Sequence, residues 1–291
     1  MTGCEPSARV EGGTGVDIDH TVAHASRVYD YLVGGSDNFT ADRQAAHAMA
    51  EALPGGLSAI QANCRTNRIF LGQAVRYLAR NGIRQFLDIG PGIPTVHQTH
   101  EVAQSVAPEA RIVYVDKDPI VLAHAHRLLQ STPEGQVAFL EDDLRNPTGI
   151  LERAGRVLDL TQPVGLILVA IYHMLPDSDD PHQINRTLIE ALCAGSYLAA
   201  SHLTADFMGQ VWEEAVARLS EATRESFVNR TSDEFVRFFD GLELMAPGVV
   251  SIDDWLRDGP APPPPGIEPR LPDDLDPGWV NPLWAAVGRK P

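Results

Sequence analysis

The chain has 291 residues, 44% of them hydrophobic, enough for one sizeable α/β domain with additions rather than two equal domains. Its 23 basic and 39 acidic side chains leave a net charge of -16, which repels phosphate backbones and anionic membrane surfaces and argues against nucleic acid as a partner. Cys4, Cys64 and Cys193 are odd in number, widely spaced and without a metal-type pairing, so a reducing compartment and no disulfide framework are expected.

The opening MTGCEPSARVEGG has no basic cluster followed by an apolar core, and residues 1–20 read as a flexible tail. The longest apolar run, Val164 to Ile171, is far shorter than the roughly 20 residues that span a bilayer, so the expectation is a cytoplasmic protein with no membrane segment. Residues 21–80 read as a helical extension, broken at Gly34-Gly35 and at Pro54-Gly55-Gly56. From residue 81 to 291 short apolar strands alternate with amphipathic stretches, the pattern of one α/β domain with parallel crossovers. Strands are predicted at Gln85–Ile89, Ile112–Asp116, Val137–Glu141, Gly165–Ile171 and Tyr197–His202. Between them, helices are predicted near Val96–Val106, Pro119–Leu129, Pro147–Ala154 and Pro181–Leu192. Pro119, Pro147 and Pro181 each follow an Asp or Asn, pairing a cap side chain with a proline in the first turn.

Beyond the fifth strand, Phe207–Ala222 reads as a helix, and Thr231 with Glu234 as the capping box of a short helix through Phe239. Leu242–Ile252 reads as a strand with a turn at Pro247-Gly248. The proline-rich stretch 258–282 is a stiff loop, and Leu283–Val287 returns as an antiparallel partner of Leu242–Leu244.

The loop LDIGPGIPT, residues 87–95, sits at the carboxyl end of the first strand, where open parallel sheets collect ligands. A dinucleotide site wants a third glycine where this chain has Thr95, and Pro94 removes an N–H that a phosphate uses, which disfavours a nicotinamide oxidoreductase. S-adenosylmethionine, with an amino-acid tail and no phosphate, needs two glycines for close approach and an acid beside them. Asp88 would orient the loop or meet the ligand's ammonium, Asp116 would accept the ribose hydroxyl hydrogens, and Asp143 would accept from the adenine amino group while the Leu144 N–H faces a ring nitrogen.

These residues resemble the class I S-adenosylmethionine-dependent methyltransferases, and more closely an actinobacterial group first catalogued as a domain of unknown function and now called the S-adenosyl methyltransferase family. The resemblance rests on SRVYDYLVGGSDNFTADR at 26–43, RQFLDIGPGIPT at 84–95, HEVAQSVAPEARIVYVDKDPIVLAHA at 100–125, DLRNP at 143–147, HMLPDSDDP at 173–181, GSYLAASH at 195–202 and VGRKP at 287–291. It implies a Rossmann-like, seven-stranded, mostly parallel sheet with an antiparallel last strand, and cofactor roles at Asp88, Gly90, Gly92, Asp116 and Asp143. With Lys117, Leu144 and Ala170 at the same strand ends, these form the expected cofactor set on the sheet. In RVYDYLVGGSDNF, Tyr29, Tyr31, Gly34, Gly35 and Asn38 suit a lid over a cationic ligand, while a helix stop also explains the glycine pair. Arg43 would meet the methionyl carboxylate or a nearby Asp.

The expected reaction is methyl transfer to a small-molecule acceptor, at oxygen, in secondary metabolism. An oxygen acceptor has to lose a proton, and His173 just beyond the fourth strand is the candidate base, in a segment similar to the H-x-x-x-D of small-molecule O-methyltransferases. His202 is a second candidate for the acceptor pocket, whereas a metal at His173, Asp177 and His182 matches no ligand spacing, so no metal is expected. His97 and His100 could approach the cofactor loop, and His124 and His126 read as surface residues. The rival from another class is a catalytically silent S-adenosylmethionine-binding sensor or scaffold, which keeps Asp116 and Asp143 but needs no acceptor pocket.

Overall fold

The computed structural model describes residues 19–94, 98–128, 131–262 and 279–291. Three helices come first: α1 (Ala25–Leu32), α2 (Thr40–Ala50) and α3 (Gly56–Arg80). The alternating unit follows as β1 (Gln85–Ile89), α4 (Thr99–Val106), β2 (Arg111–Asp116), α5 (Pro119–Leu128), β3 (Gln136–Glu141), α6 (Pro147–Ala154), β4 (Gly165–Val169), α7 (Pro181–Glu190) and β5 (Tyr197–Leu203). The chain ends with α8 (Gln210–Thr223), α9 (Ser232–Val236), β6 (Glu243–Leu244), β7 (Val250–Ser251), α10 (Ile252–Asp258) and β8 (Leu283–Arg289).

The strands form one sheet in the order β3-β2-β1-β4-β5-β8-β6. Pairing is parallel from β3 to β5, and β8 enters antiparallel to β5 with Leu203 opposite Leu283. The order reverses between β1 and β4, where a crevice opens at the carboxyl ends of the strands. All five residues of β1 are buried, as a strand covered on both faces requires. Alternate side chains feed two cores. Phe86, Ile112, Tyr114, Ile167 and Ala199 pack with the helices of the extension, while Leu87, Val113, Leu166 and Leu198 pack on the opposite face.

The proline-led helices carry the expected caps: Asn146 accepts from the Gly149 N–H at 3.3 Å, Asp180 from the Gln183 N–H at 3.1 Å, and Asp118 from the Ile120 N–H at 2.8 Å. The Thr231–Glu234 capping box is also present.

Three boundaries differ from the sequence reading. β4 stops at Val169 because Ala170 turns into the left-handed region at φ 57° and Ile171 leads into a short 3₁₀ turn. The strand expected over Leu242–Ile252 is two short pieces, with Glu243 opposite Arg289 and Val250 opposite Ala285. Pro247 and the left-handed Gly248 interrupt them, so the two share one edge of β8. α8 begins at Gln210 rather than Phe207, after Gly209 at φ 56°. Of the expected tail, residues 1–18 lie outside the described residues, as do 263–278 of the proline-rich loop and the helix start at Val96. Among the described residues no helix is long and apolar enough to cross a membrane.

Candidate active site

A cleft lies over the carboxyl ends of the strands and is roofed by α1, α3 and α8, with about 1550 Å³ of empty space including its open mouth. Its floor begins with the loop after β1. Gly90 donates its N–H to the Val115 carbonyl at 2.8 Å and adopts φ 77°. A Cβ there would lie 2.6 Å from Ile171 Cδ1, so only glycine fits. Gly92, at φ 67°, has no heavy atom within 4 Å of a Cβ position, and its N–H donates to Asp116 Oδ2 at 3.2 Å.

Four carboxylates hang from the first three strands. Asp88 is buried and accepts from the Thr99 hydroxyl at 2.6 Å, and burial pushes its carboxyl up to about 6. Asp116 accepts from the Asp118 N–H at 2.9 Å as well as from Gly92, and burial also raises it to about 6. Asp142 is tied to Arg153 and to Asn146 Nδ2 at 3.2 Å, anchoring α6. Asp143 accepts from the Arg145 N–H at 2.9 Å and from its guanidinium, with Lys117 Nζ at 3.9 Å. Arg145 in turn pairs with Asp179 at 2.7 Å. Asp88, Gly90, Gly92, Asp116, Lys117, Asp143, Leu144, Ala170 and His173 therefore all line one cleft.

Of the expected lid residues, Tyr31, Gly34, Gly35 and Asn38 do not. Tyr31 reaches away to His47 Nε2 at 3.2 Å, and Gly34 is a left-handed helix stop at φ 90°. Gly35 is packed on the buried Asp30, whose carboxylate accepts from the Asp37 N–H and from Asn38 Nδ2, both at 2.8 Å. Arg43 binds Asn38 Oδ1 at 2.9 Å. GGSDN is thus a hydrogen-bonded turn between α1 and α2. A Cβ at Gly35 would stand 1.9 Å from Asp30 Oδ1. Gly35→Ala is expected to break that turn at a cost of about 2 kcal/mol, seen as a lower thermal unfolding midpoint; an unchanged midpoint would show the turn to be adaptable.

The extension still contributes to the cleft, through different side chains. Tyr29 points inward, donating to the Cys64 carbonyl at 3.1 Å and accepting from Asn67 Nδ2 at 3.3 Å. Asn67 Oδ1 accepts from the Ser201 hydroxyl at 2.6 Å, and Ser201 Oγ accepts from the Ala170 N–H at 3.0 Å. One chain of hydrogen bonds thus runs from the β4 turn to α1. His24, leading into α1, lies 3.3 Å from Asp118 Oδ2 and 3.9 Å from Glu225 Oε1. Asn63, Asn67 and Arg68 of α3 also line the cleft. Sequence reasoning anticipated Tyr29 but passed over Asn63, Asn67 and Arg68, although buried amides four apart on an otherwise apolar helix face were a usable signal.

His173 is 6% exposed, stacks on Phe227 at 5.7 Å between centroids, and has no hydrogen-bond partner at Nδ1. Burial, reinforced by Arg230, drives its imidazole down to about 3. His202, the second candidate, does not line the cleft. Arg230, always a donor, donates a hydrogen bond to His202 Nε2 at 2.9 Å, so Nδ1 carries the ring proton and donates to the Leu203 carbonyl at 2.7 Å. Arg230 is itself buried and clamps the Leu175 carbonyl and Asp177, which fixes the loop that carries His173. Asp177 is spent on that pair and His182 stacks on Phe238; among the described residues no cluster of His, Cys, Asp and Glu suits a metal ion. His100 is occupied by the Tyr114 hydroxyl at 2.9 Å, and His97 lies outside the described residues.

Comparison with known proteins agrees with this layout. The family model described as S-adenosyl methyltransferase matches residues 12–291. A DUF574 family protein from Streptomyces avermitilis MA-4680 is 43% identical with a TM-score of 0.81, over 94% of this chain and 99% of that one. A protein from Thermobifida fusca YX is 37% identical with a TM-score of 0.79, over 94% of this chain and 96% of that one. Among curated proteins there is no match. With glycine turn, strand-end carboxylates and full-length similarity in agreement, the chain belongs to the S-adenosyl methyltransferase family and is an S-adenosylmethionine-dependent methyltransferase.

Proposed function

We propose that the protein methylates a hydroxyl oxygen of a small-molecule acceptor, with Asp88, Gly90, Gly92, Asp116, Lys117, Asp143, Leu144 and Ala170 on the cofactor side of the cleft and His173 on the acceptor side. The observation that carries this reading is the presence of His173, neutral and with an unpartnered ring nitrogen, in the same cleft as two carboxyls that burial raises to about 6 and that are ionised at neutral pH.

The residues fit S-adenosylmethionine. The cleft wall at Gly92 leaves room where any side chain would intrude, and Asp116 has acceptor capacity beyond its two backbone donors. When bound, this cofactor supplies an electrophilic methyl group and leaves as a neutral thioether. The carboxylates of Asp88 and Asp116 favour its positive charge, and the buried walls exclude water that would compete as acceptor. His173 takes the proton released by the acceptor. An oxygen acquiring a methyl group is strongly acidic, so even a weakly basic imidazole suffices. Incubation with methyl-labelled S-adenosylmethionine and matched alcohols, phenols and amines tests this; label moving only to nitrogen would overturn the oxygen assignment.

The carboxylates predict a pH dependence. Burial raises both above the unfolded value of 3.8, so their protonated forms stabilise the fold at low pH and that contribution is lost as pH rises through about 6. Cofactor binding has the opposite sign, because hydroxyl donation to Asp116 and attraction of a cation need ionised groups. Affinity for S-adenosylmethionine should therefore rise between pH 5 and 7, by up to about tenfold per unit for each carboxylate involved, and level off above. Calorimetry across this range checks it; flat affinity would remove both carboxylates from cofactor binding.

A further inference from the structure

We infer that the acceptor is an uncharged, predominantly apolar molecule, aromatic in size, that carries a single hydrogen-bonding hydroxyl. This rests on the assignment of the His173 side of the cleft to the acceptor.

The cleft divides along the sheet. Most of its charged lining residues sit at the ends of β1, β2 and β3, with Arg68 of α3 acting on Asp88 there and His24 lying between Asp118 and Glu225. At the neighbouring ends of β4, β5 and β8 the wall changes character. Leu203 and Leu283, paired across β5 and β8, form the floor, and Leu32, Ile60, Trp212 and Leu219 close it from α1, α3 and α8. Each of these six is less than a tenth exposed.

Two polar side chains interrupt this wall. Asn63, 5% exposed, leaves Oδ1 without a partner, and His173 leaves Nδ1 without one. Buried polar atoms are normally satisfied, so two unpartnered ones on side chains that line a cavity point to a ligand that supplies what the protein does not. An amide oxygen accepts, and an imidazole nitrogen accepts from a hydroxyl; one O–H donating to one of them, with a bridging water donating to the other, serves both. An acceptor with a carboxylate or ammonium in this lobe would bury its charge against Leu32, Ile60, Leu203, Trp212, Leu219 and Leu283, none of which can act as its counter-ion. The thiol of Cys64 beside them is pushed up to about 12 by burial and is no nucleophile for the methyl group.

The probes are 2-naphthol, naphthalene and 2-naphthoate, titrated at pH 7.5 into full-length protein already saturated with S-adenosylhomocysteine. Saturation is verified first by calorimetry, so failure of the cofactor site appears there, and failure of the oxygen or base assignment appears in turnover rather than in this binding series. The expected order is 2-naphthol, then naphthalene about tenfold weaker for one hydrogen bond, then 2-naphthoate weaker again by at least about tenfold. Asn63→Leu should reduce the advantage of 2-naphthol over naphthalene, leaving only the contribution of His173. Leu219→Trp, or Leu32→Phe should the first fail to fold, should exclude 2-naphthol while S-adenosylhomocysteine still binds. Binding of 2-naphthoate as tight as 2-naphthol, or binding of none of the three to the saturated protein, would overturn the inference.

Discussion

Asp116→Ala is expected to weaken S-adenosylhomocysteine binding by roughly 30- to 1000-fold, equivalent to about 2–4 kcal/mol. The carboxylate ends β2, is half-buried, and already orders two backbone N–H groups, those of Gly92 and Asp118. A ribose offering two hydroxyls to it gains charge-assisted hydrogen bonds that alanine cannot replace. Asp116→Asn separates loop order from ligand binding, because the amide oxygen can still accept from Gly92 while the charge is gone. Its affinity should fall between wild type and alanine. Stability of the ligand-free protein should move the other way. A carboxylate raised to about 6 by burial is held ionised against its environment at pH 7.5, so the asparagine variant should melt at or above the wild-type temperature. Weaker binding with undiminished stability identifies a group kept for the ligand; unchanged affinity in both variants would remove Asp116 from the cofactor site.

That carboxylate was legible in the sequence because strand ends announce themselves. An apolar run closed by Asp, followed by an Asp-Pro helix start, places Asp116 above the sheet with little ambiguity, and Gly90 and Gly92 follow from the same register. The lid was misread for a physical reason. Tyr31, Gly34, Gly35 and Asn38 are distinctive residues in a helix-ending turn, but composition does not say which face of an eight-residue helix is inward. Of the two tyrosines expected there, Tyr29 is the one that turns toward the cleft. His202 was misplaced because its partner, Arg230, is distant in sequence; only the folded chain shows both ring nitrogens already engaged. The apolar lobe was likewise hidden, since Ile60, Leu203, Trp212 and Leu283 each read as ordinary core in their own elements and become a binding wall only where helices α3 and α8 meet the sheet edge.

His173→Phe should lower turnover by about 10²- to 10⁴-fold, the usual contribution of a positioned acid or base, while leaving cofactor affinity unchanged. Phenylalanine is chosen over alanine because the imidazole is stacked on Phe227 and almost fully buried; a flat ring preserves that packing and removes only the nitrogens. The pH profile discriminates further. With the free imidazole driven down to about 3, kcat/KM has no histidine limb between pH 5 and 9, and the rise near 6 belongs to Asp88 and Asp116 and persists in the residual activity of the variant. A base matters only while there is a proton to remove. The deficit of His173→Phe should therefore be largest for an aliphatic alcohol, smaller for a phenol, and near unity for a nitrophenol already ionised at the assay pH. A loss of the same size for all three would mark His173 as a packing residue, and full activity with the alcohol would exclude it from the chemistry.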